Sequence, residues 1–427
     1  MAILLLFACV LALVLLNVPI AVALGLVAVV ALVAAQGLDI LPNLPIVIYN
    51  GATNFPLIAI PLFILAGSIM NASGISRRLI AFASAVLGWI RGGLSIVSIG
   101  TSLFFAEISG SAVADVAALG SVLIPAMKKR GYSSEFAAAV MSSSATLAVI
   151  IPPSIPMILY AVMAETSVVQ LFVAGIVPGV VGGLGLMVMA YWFARRYNFP
   201  VEEAFRLDRV WQTFKEAFWA FFMPVIILGS IFGGVVTATE GAAMAVVASL
   251  FIGLFVYREL DLAHLKEAVI EGGVQTAVVM LLVATSALLG IHLTEAQVPQ
   301  QLAASVAEFT TNKWAVLAIL NLLFLMLGLF LHSAAAIILT VPVVMPLVNA
   351  VGIDPVHFGL IVTINLGIGQ QTPPVASVLM TACAIAKADI WEVTKVNVWF
   401  IAVLFAVLMM VTYIPVTGLG LVDYFYR

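Results

Sequence analysis

Residues 142–154 read Ser-Ser-Ser-Ala-Thr-Leu-Ala-Val-Ile-Ile-Pro-Pro-Ser, and residues 363–374 read Thr-Ile-Asn-Leu-Gly-Ile-Gly-Gln-Gln-Thr-Pro-Pro. The two proline pairs, Pro152-Pro153 and Pro373-Pro374, lie 221 residues apart. The same offset of 221 carries Pro125 onto Pro346 and Gly131 onto Gly352 with no gap. Both stretches sit in almost continuous apolar sequence. Proline cannot donate to a helix ladder, so in lipid it is tolerated where protein or a water-filled cavity covers the freed carbonyls. Paired, repeated helix breaks are the sequence sign of a secondary transporter that binds substrate and ions between two inverted halves. A match at four positions in one register sets this apart from two unrelated proline kinks.

Composition agrees. The 427 residues are 64% apolar and 9% charged, against roughly 25% charged in a soluble domain. Such a chain belongs in a lipid bilayer. A net charge of −3 excludes a nucleic-acid binder, which needs a basic face. Cys9 and Cys383 fall in apolar runs without CxxC or zinc spacing and read as small buried hydrophobes. The longest polar stretch, Arg195 to Lys215, is too short to build an extramembrane core. The N-terminal Met-Ala-Ile-Leu-Leu-Leu lacks a positive flank and reads as a retained span rather than a signal peptide.

A span needs about 20 apolar residues. The run from Ala2 to Gln36 divides at Asn17-Val18-Pro19 into two short spans. Offset by 221, Pro19 falls on Glu240, which lies in a second break that divides Phe218 to Tyr257. The first half continues with a span from Phe55 to Met70, an amphipathic segment from Ile75 to Trp89, and two stretches, Leu94–Ile108 and Ala112–Met127, joined by Ser109-Gly110-Ser111. Those two stretches are short and closely joined, which predicts a re-entrant hairpin. A broken span from Glu135 to Val162 and a span from Val169 to Phe193 close the half. The second half repeats the order: a span from Gln275 to Ile291, an amphipathic segment from Glu295 to Glu308, and a hairpin from Ala315 to Leu347 with its tip at His332-Ser333. A broken span from Val356 to Ala384 and a span from Val396 to Thr412 follow.

The predicted fold is an all-α polytopic membrane protein of about ten spanning helices plus two re-entrant hairpins. It has two inverted-topology repeats, residues 1–215 with a cytoplasmic connector and residues 216–427. Basic residues support the inversion. Of the 17 Lys and Arg, all but Lys313 and Arg427 fall on one side, 15 against 2. The positive-inside rule makes that side cytoplasmic and puts both termini outside.

The polar residues cluster at the breaks. Ser109-Gly110-Ser111 offers hydroxyls and freed carbonyls at a tip where half-helices meet, a hard-oxygen environment that suits sodium, or else a small-residue turn for close packing. Ser142, Ser143, Ser144, Thr146 and Ser154 supply five hydroxyls in one unwound region, more than back-bonding to their own helix requires. The matched stretch brings Asn365, Gln370, Gln371 and Thr372, amides and a hydroxyl that are costly in lipid unless satisfied. Gly367 and Gly369 give backbone freedom for carbonyl coordination. His332 either packs at the second tip or contacts substrate. Asp115 reads equally as ion ligand or helix-end partner, whereas Glu107 and Glu240 read as structural. No Lys or Arg falls confidently at mid-membrane, so an anionic substrate would be held by helix N-termini, hydroxyls, amides and co-bound cations.

On these residues the chain resembles the large membrane subunit of tripartite ATP-independent periplasmic (TRAP) transporters of the dicarboxylate and sialic acid type. The resemblance rests on Glu107–Gly120, Leu123–Met127, Ile151–Ser154, Gly233–Glu240 and Gln371–Pro374, and it covers essentially the whole chain. It implies an elevator mechanism, sodium as coupling ion and no other cofactor or metal. It also implies a separate small four-span membrane subunit, a periplasmic substrate-binding protein and residence in the bacterial inner membrane. Carried over, the sodium ligands are Ser109, Gly110, Ser111, Ser144 and Thr146 in the first half, and Ser333, Gly367, Gly369 and Thr372 in the second. Substrate, an organic acid anion such as a C4-dicarboxylate or sialic acid, would lie between them, near Ser143, Pro152, Pro153, Ser154, His332, Asn365, Gln370, Gln371 and Pro373. The competing reading is a stand-alone ion-coupled carboxylate carrier of the wider ion-transporter superfamily. An enzyme is not expected, since the four scattered histidines assemble no metal cluster or nucleophile–base pair.

Overall fold

The computed structural model describes residues 2–16, 18–199, 201, 205–310 and 312–426. Among them there is no β-strand; the chain is a succession of helices. In the first half these are α1 (Ala2–Leu15), α2 (Ile20–Gln36), α3 (Leu44–Ala52), α4 (Ala59–Ala72), α5 (Ile75–Leu87), α6 (Gly93–Ser109), α7 (Ala112–Lys129), α8 (Ser134–Ala145), α9 (Leu147–Ile150), α10 (Ile155–Met163) and α11 (Val168–Arg196). The second half holds α12 (Leu207–Pro224), α13 (Ser230–Phe232), α14 (Ala238–Phe251), α15 (Leu262–Glu295), α16 (Val298–Phe309), α17 (Lys313–Phe330), α18 (Ser333–Ala350), α19 (Pro355–Gly369), α20 (Ser377–Ala386), α21 (Ile390–Tyr413) and α22 (Val416–Tyr426). Eight helical stretches are long and apolar enough to cross a membrane, and a ninth is counted if the pair over 134–163, bent by 40°, is one span.

The hairpins form where they were expected. Helices α6 and α7 meet at Gly110, whose φ of +57° turns the chain back. Helices α17 and α18 meet at Leu331 and His332, both extended. Each broken span divides at its proline pair, and both pairs are joined by a cis bond. Gly131 and Gly352, 221 residues apart, both take positive φ between a hairpin and the following helix.

Helix packing runs reciprocally between the halves. Helix α2 packs on α15 and α14 packs on α4; α7 packs on α20 and α18 packs on α10; α8 packs on α21 and α19 packs on α11. In each pair of contacts the two helices have exchanged roles with their counterparts, as a two-fold relation requires. The relation passes through one crossing. A Cβ added to Gly367 would lie 2.7 Å from Thr146 Cγ2, and these two residues are themselves 221 apart.

The structure departs from the sequence reading in several places. Helix α15 has 34 residues, about 51 Å at 1.5 Å per residue, and begins well before Gln275. Its first-half counterpart is split into α3 and α4. The cause is Pro56, which starts a new turn after the extended Asn54; the matched residue is Ala277, so the second copy runs on. The polar connector is not a loop to Lys215, because its end is already the start of α12. Helix α22 follows the last expected span. Cys9, read as buried, is exposed on α1.

Outside the apolar layer, α5 is tied to the end of α14. Arg77 and Arg78 reach Glu259 at 2.8 and 2.7 Å, and the Arg78 guanidinium lies 3.8 Å from the centroid of the Tyr257 ring. The Arg78 hydrogen bond holds the Glu259 carboxyl below its ordinary pKa.

Gly367→Ala is predicted to force the crossing apart at a cost of about 1–3 kcal/mol, the range for overpacking a tight core. Thr146→Ser deletes the offending methyl and keeps the hydroxyl, so it should recover most of the loss. Thermal melting of the two single variants and the double variant in detergent measures that coupling; strictly additive effects would contradict the crossing.

Candidate functional site

The two breaks and the two hairpin tips converge. A Cβ on Gly110 would lie 3.0 Å from the Pro153 carbonyl oxygen and 3.1 Å from the Ile155 nitrogen. The first tip therefore rests directly on the first break. In the second half the Val375 N–H donates to the Leu329 carbonyl at 3.3 Å, and the Gln370 amide donates to the Ser333 hydroxyl. The breaks join each other through a buried chain of side chains. Gln371 Nε2 donates to Thr146 Oγ1 at 2.7 Å. Asn397 Nδ2 donates to the Gln371 carbonyl at 3.2 Å and to its Oε1 at 3.4 Å. Ser143 Oγ donates to Asn397 Oδ1 at 2.6 Å. All four residues are fully buried. In a medium without water each of these bonds replaces an uncompensated polar group, which is why the network fixes the relative placement of α8, α19 and α21.

A parallel pair of contacts ties each first hairpin helix to its broken helix. Ser102 Oγ donates to Ser144 Oγ at 3.1 Å. Asn365 Nδ2 donates to Asn321 Oδ1 at 2.6 Å, and Asn321 Nδ2 donates to Thr412 Oγ1 at 3.2 Å. Ser144 and Asn365 are counterparts at the 221-residue offset. Among the described residues, Thr101 Oγ1, Ser142 Oγ and Asn365 Oδ1 are buried oxygens without a hydrogen-bond partner. Orphaned hard oxygens beside helix breaks are the donor type that an alkali cation takes.

The expected residues separate into groups. Thr146, Gln370, Gln371 and Ser333 lie in the network, as does Ser143, although its hydroxyl is spent on Asn397. Pro152, Pro153 and Ser154 are sealed from solvent, and Ser154 Oγ donates to the Val149 carbonyl at 2.8 Å. Gly369 lies against the Gly328 backbone, where its Cβ would meet Gly328 Cα at 2.5 Å. Thr372 Oγ1 donates to the Ile368 carbonyl at 3.0 Å. Pro373 is half-buried; Pro374, Val375 and His332 are exposed. Ser111 is half-buried at the first tip. The side chains of Glu107 and Ser109 lie outside the described residues, while Ser109 itself closes α6. Asp115 is buried in the first turn of α7. Glu240 forms a capping box with Thr237 at the start of α14, the structural role expected of it.

Asn321, Asn397 and Ser102 were missed. Asn397 stands in the run taken as an apolar span, and a buried amide inside a span was the available signal.

Helix caps show the electrostatic design. The N-termini of α8, α11, α14, α15, α17, α19 and α21 are each capped by the side chain of Ser133, Ser167, Thr237, Asp261, Asn312, Asp354 or Asp389. The four N-termini at the tips and breaks have no such cap: α7 at Ser111, α10 at Ser154, α18 at His332 and α20 at Ala376. Their positive ends point into the site. The C-terminal ends of α6, α9, α17 and α19 lie at the same tips and breaks and bring negative ends.

This arrangement of paired tips and breaks has counterparts among known proteins. Residues 7–417 match the family described as the tripartite ATP-independent periplasmic transporter, DctM component. The chain belongs to that family. It is a TRAP transporter large permease subunit, a multi-pass protein of the membrane. It is 43% identical over 403 residues to the isethionate TRAP transporter permease protein DctMQ of Oleidesulfovibrio alaskensis, covering 93% of this chain and 63% of that protein. It is 38% identical over 383 residues to the C4-dicarboxylate TRAP transporter large permease protein DctM of Pseudomonas aeruginosa, covering 90% of each. In fold it is similar to the Alcanivorax borkumensis YdaH transporter, with a TM-score of 0.65, 15% identity, and coverage of 91% of this chain and 90% of that one.

Asn397→Leu is predicted to strand the Ser143 hydroxyl and the Gln371 carbonyl and to cost about 1–3 kcal/mol for each group left buried and unpaired. Adding Ser143→Ala should return part of that loss, since it removes one of the stranded groups. Melting temperatures of the TRAP permease and its variants read the effect.

Proposed function

We propose that this permease carries an organic acid anion inward, driven by sodium, with substrate delivered by a periplasmic binding protein and with a small four-span membrane subunit as partner. The observation that carries this reading is the set of four uncapped helix N-termini at the tips and breaks. Uncapped N–H groups and aligned dipoles attract a carboxylate without a lysine or arginine. Sodium would take the orphaned oxygens Thr101 Oγ1, Ser142 Oγ and Asn365 Oδ1 together with carbonyls at the helix C-termini. Tip residues Ser109, Gly110, Ser111 and Ser333 would complete those shells. Relatives named for C4-dicarboxylate and isethionate are consistent with a small organic anion. The name DctMQ, on a relative of which this chain spans only 63%, fits a second membrane component that is joined to the permease in that relative.

In this reading residues 1–215 and 216–427 are two inverted repeats. The hairpins and broken helices move as one body against a scaffold that contains α2, α4, α14 and α15. The amphipathic helices α5 and α16 link the two bodies as arms.

Proteoliposomes holding the permease and its small partner test the proposal, with binding protein and substrate outside. Uptake should require both an inward sodium gradient and the binding protein. Uptake driven by sodium alone would identify a stand-alone carrier instead, and uptake indifferent to sodium would refute the coupling.

A further inference from the structure

The helix contacts of the two halves divide into those that obey the two-fold exchange and those that break it. Among the scaffold helices, α2 on α15 is matched by α14 on α4. Among the hairpins and broken helices, α7 on α20 is matched by α18 on α10. Between these two groups the match fails. In the second half α15 and α16 pack on α18, the later helix of its hairpin. In the first half their counterparts α4 and α5 pack on α6, the earlier helix. Contacts that keep the symmetry belong to a rigid unit; contacts that break it mark a surface along which two units are displaced.

The burial of matched residues records the same displacement. On α18, Ile338, Leu339 and Val343 are 5%, 5% and 7% exposed. A void of about 20 Å³ lies between them and Leu289, Leu293 and Pro299 of α15 and α16. The 221-residue offset carries those three α18 residues onto Ala117, Ala118 and Val122 of α7. Here Ala117 is exposed, Ala118 half-buried and Val122 56% exposed, and Ser121 and Pro125 extend the open face. The matched receiving surface on α4 is Leu65, Ser68 and Ala72, the counterparts of Ser286, Leu289 and Leu293. All three are half-buried. One copy of the face is therefore covered by scaffold and linking helix, and the other stands open.

We infer that α4 and α5 form a second berth, on which the α7 face of Ala117, Ala118, Ser121 and Val122 seats in the alternative arrangement of the permease, while α18 leaves α15 and α16. The inference rests on the inverted-repeat reading above. These α7 residues carry no charge, so seating them strands none. Helix α7 ends at Lys128 and Lys129, on the side rich in Lys and Arg, and α18 ends at Ala350 on the other. The exchange thus shifts the hairpins and broken helices along the membrane normal. Their outer half meets the scaffold in the present arrangement, and their cytoplasmic half meets it in the alternative one.

Cysteine pairs test this in proteoliposomes holding the permease and its small partner, in a Cys9→Ser, Cys383→Ala background. Leu289→Cys with Leu339→Cys reports the packing described here and should be joined by a short bifunctional thiol reagent; its bridge also shows that the variant is folded. Ser68→Cys with Ala118→Cys is the matched pair and should be joined too, as should Ala72→Cys with Ser121→Cys. In a variant that carries both the Leu289/Leu339 and the Ser68/Ala118 pairs, intact-mass measurement should find either bridge on a chain but not both, and forming the first should abolish the second. These readouts need neither substrate nor a sodium gradient, so they stand or fall apart from the uptake test. Failure of the Ser68/Ala118 and Ala72/Ser121 bridges where the Leu289/Leu339 bridge forms would overturn the inference. So would both bridges on one chain, or efficient cross-linking of Ser121→Cys to the small partner, which would mean that another protein covers the face.

Discussion

Everything in this fold depends on satisfying polar groups where two interrupted helices cross inside the membrane. The crossing places Thr146 against Gly367, residues that are counterparts across the halves. On a two-fold axis a residue meets its own copy, so bulk there is counted twice. Glycine on one side removes the clash, and threonine on the other keeps a hydroxyl for Gln371. The two positions thus carry different residues where bulk on both sides would clash. From that contact the amide of Gln371 leads to Asn397 and then to Ser143, and the three helices that carry them become one unit.

The caps express a second constraint. The N-termini of α8, α11, α14, α15, α17, α19 and α21 are closed by their own serine, threonine, asparagine or aspartate, the ordinary solution for orphan N–H groups. At the tips and breaks that solution is withheld four times. An unclosed helix end buried in protein is unfavourable unless something else binds it. Withholding the cap leaves the positive end available to a ligand and avoids a buried lysine or arginine, whose desolvation in a membrane is costly. Ligand charge is met by dipoles, and ligand identity is therefore not written as a pattern of charged side chains.

Much of this was legible in the sequence, for physical reasons. Proline pairs, turn glycines and the 221-residue offset report backbone events, and those survive in any context. The hairpin at Gly110 and the breaks at Pro152-Pro153 and Pro373-Pro374 fell where they were read. What escaped were properties of a side chain's neighbours. Asn397 passed unremarked inside an apolar span because its partners lie 254 and 26 residues away. Gly369 looked like a flexible coordination point, yet its close contact is with the Gly328 backbone of another helix. The continuous α15 was missed because Ala277 replaces Pro56, and an absent proline leaves no mark of its own.

The halves also differ in how they cover their breaks, although their residue types are alike. Residues 150–154 are buried without exception, whereas Pro374 and Val375 are exposed. Neither proline nor valine dictates that difference; the hairpin tips do. Gly110, lacking a side chain, settles within 3.0 Å of the first break as measured from its would-be Cβ, and so it seals that break. At the second tip a histidine occupies the turn and no glycine is present. His332 is exposed at the second tip. The first tip meets its break through a buried glycine, and the second carries an exposed histidine. The two breaks thus differ in exposure in step with their tips, buried beside the glycine and exposed beside the histidine.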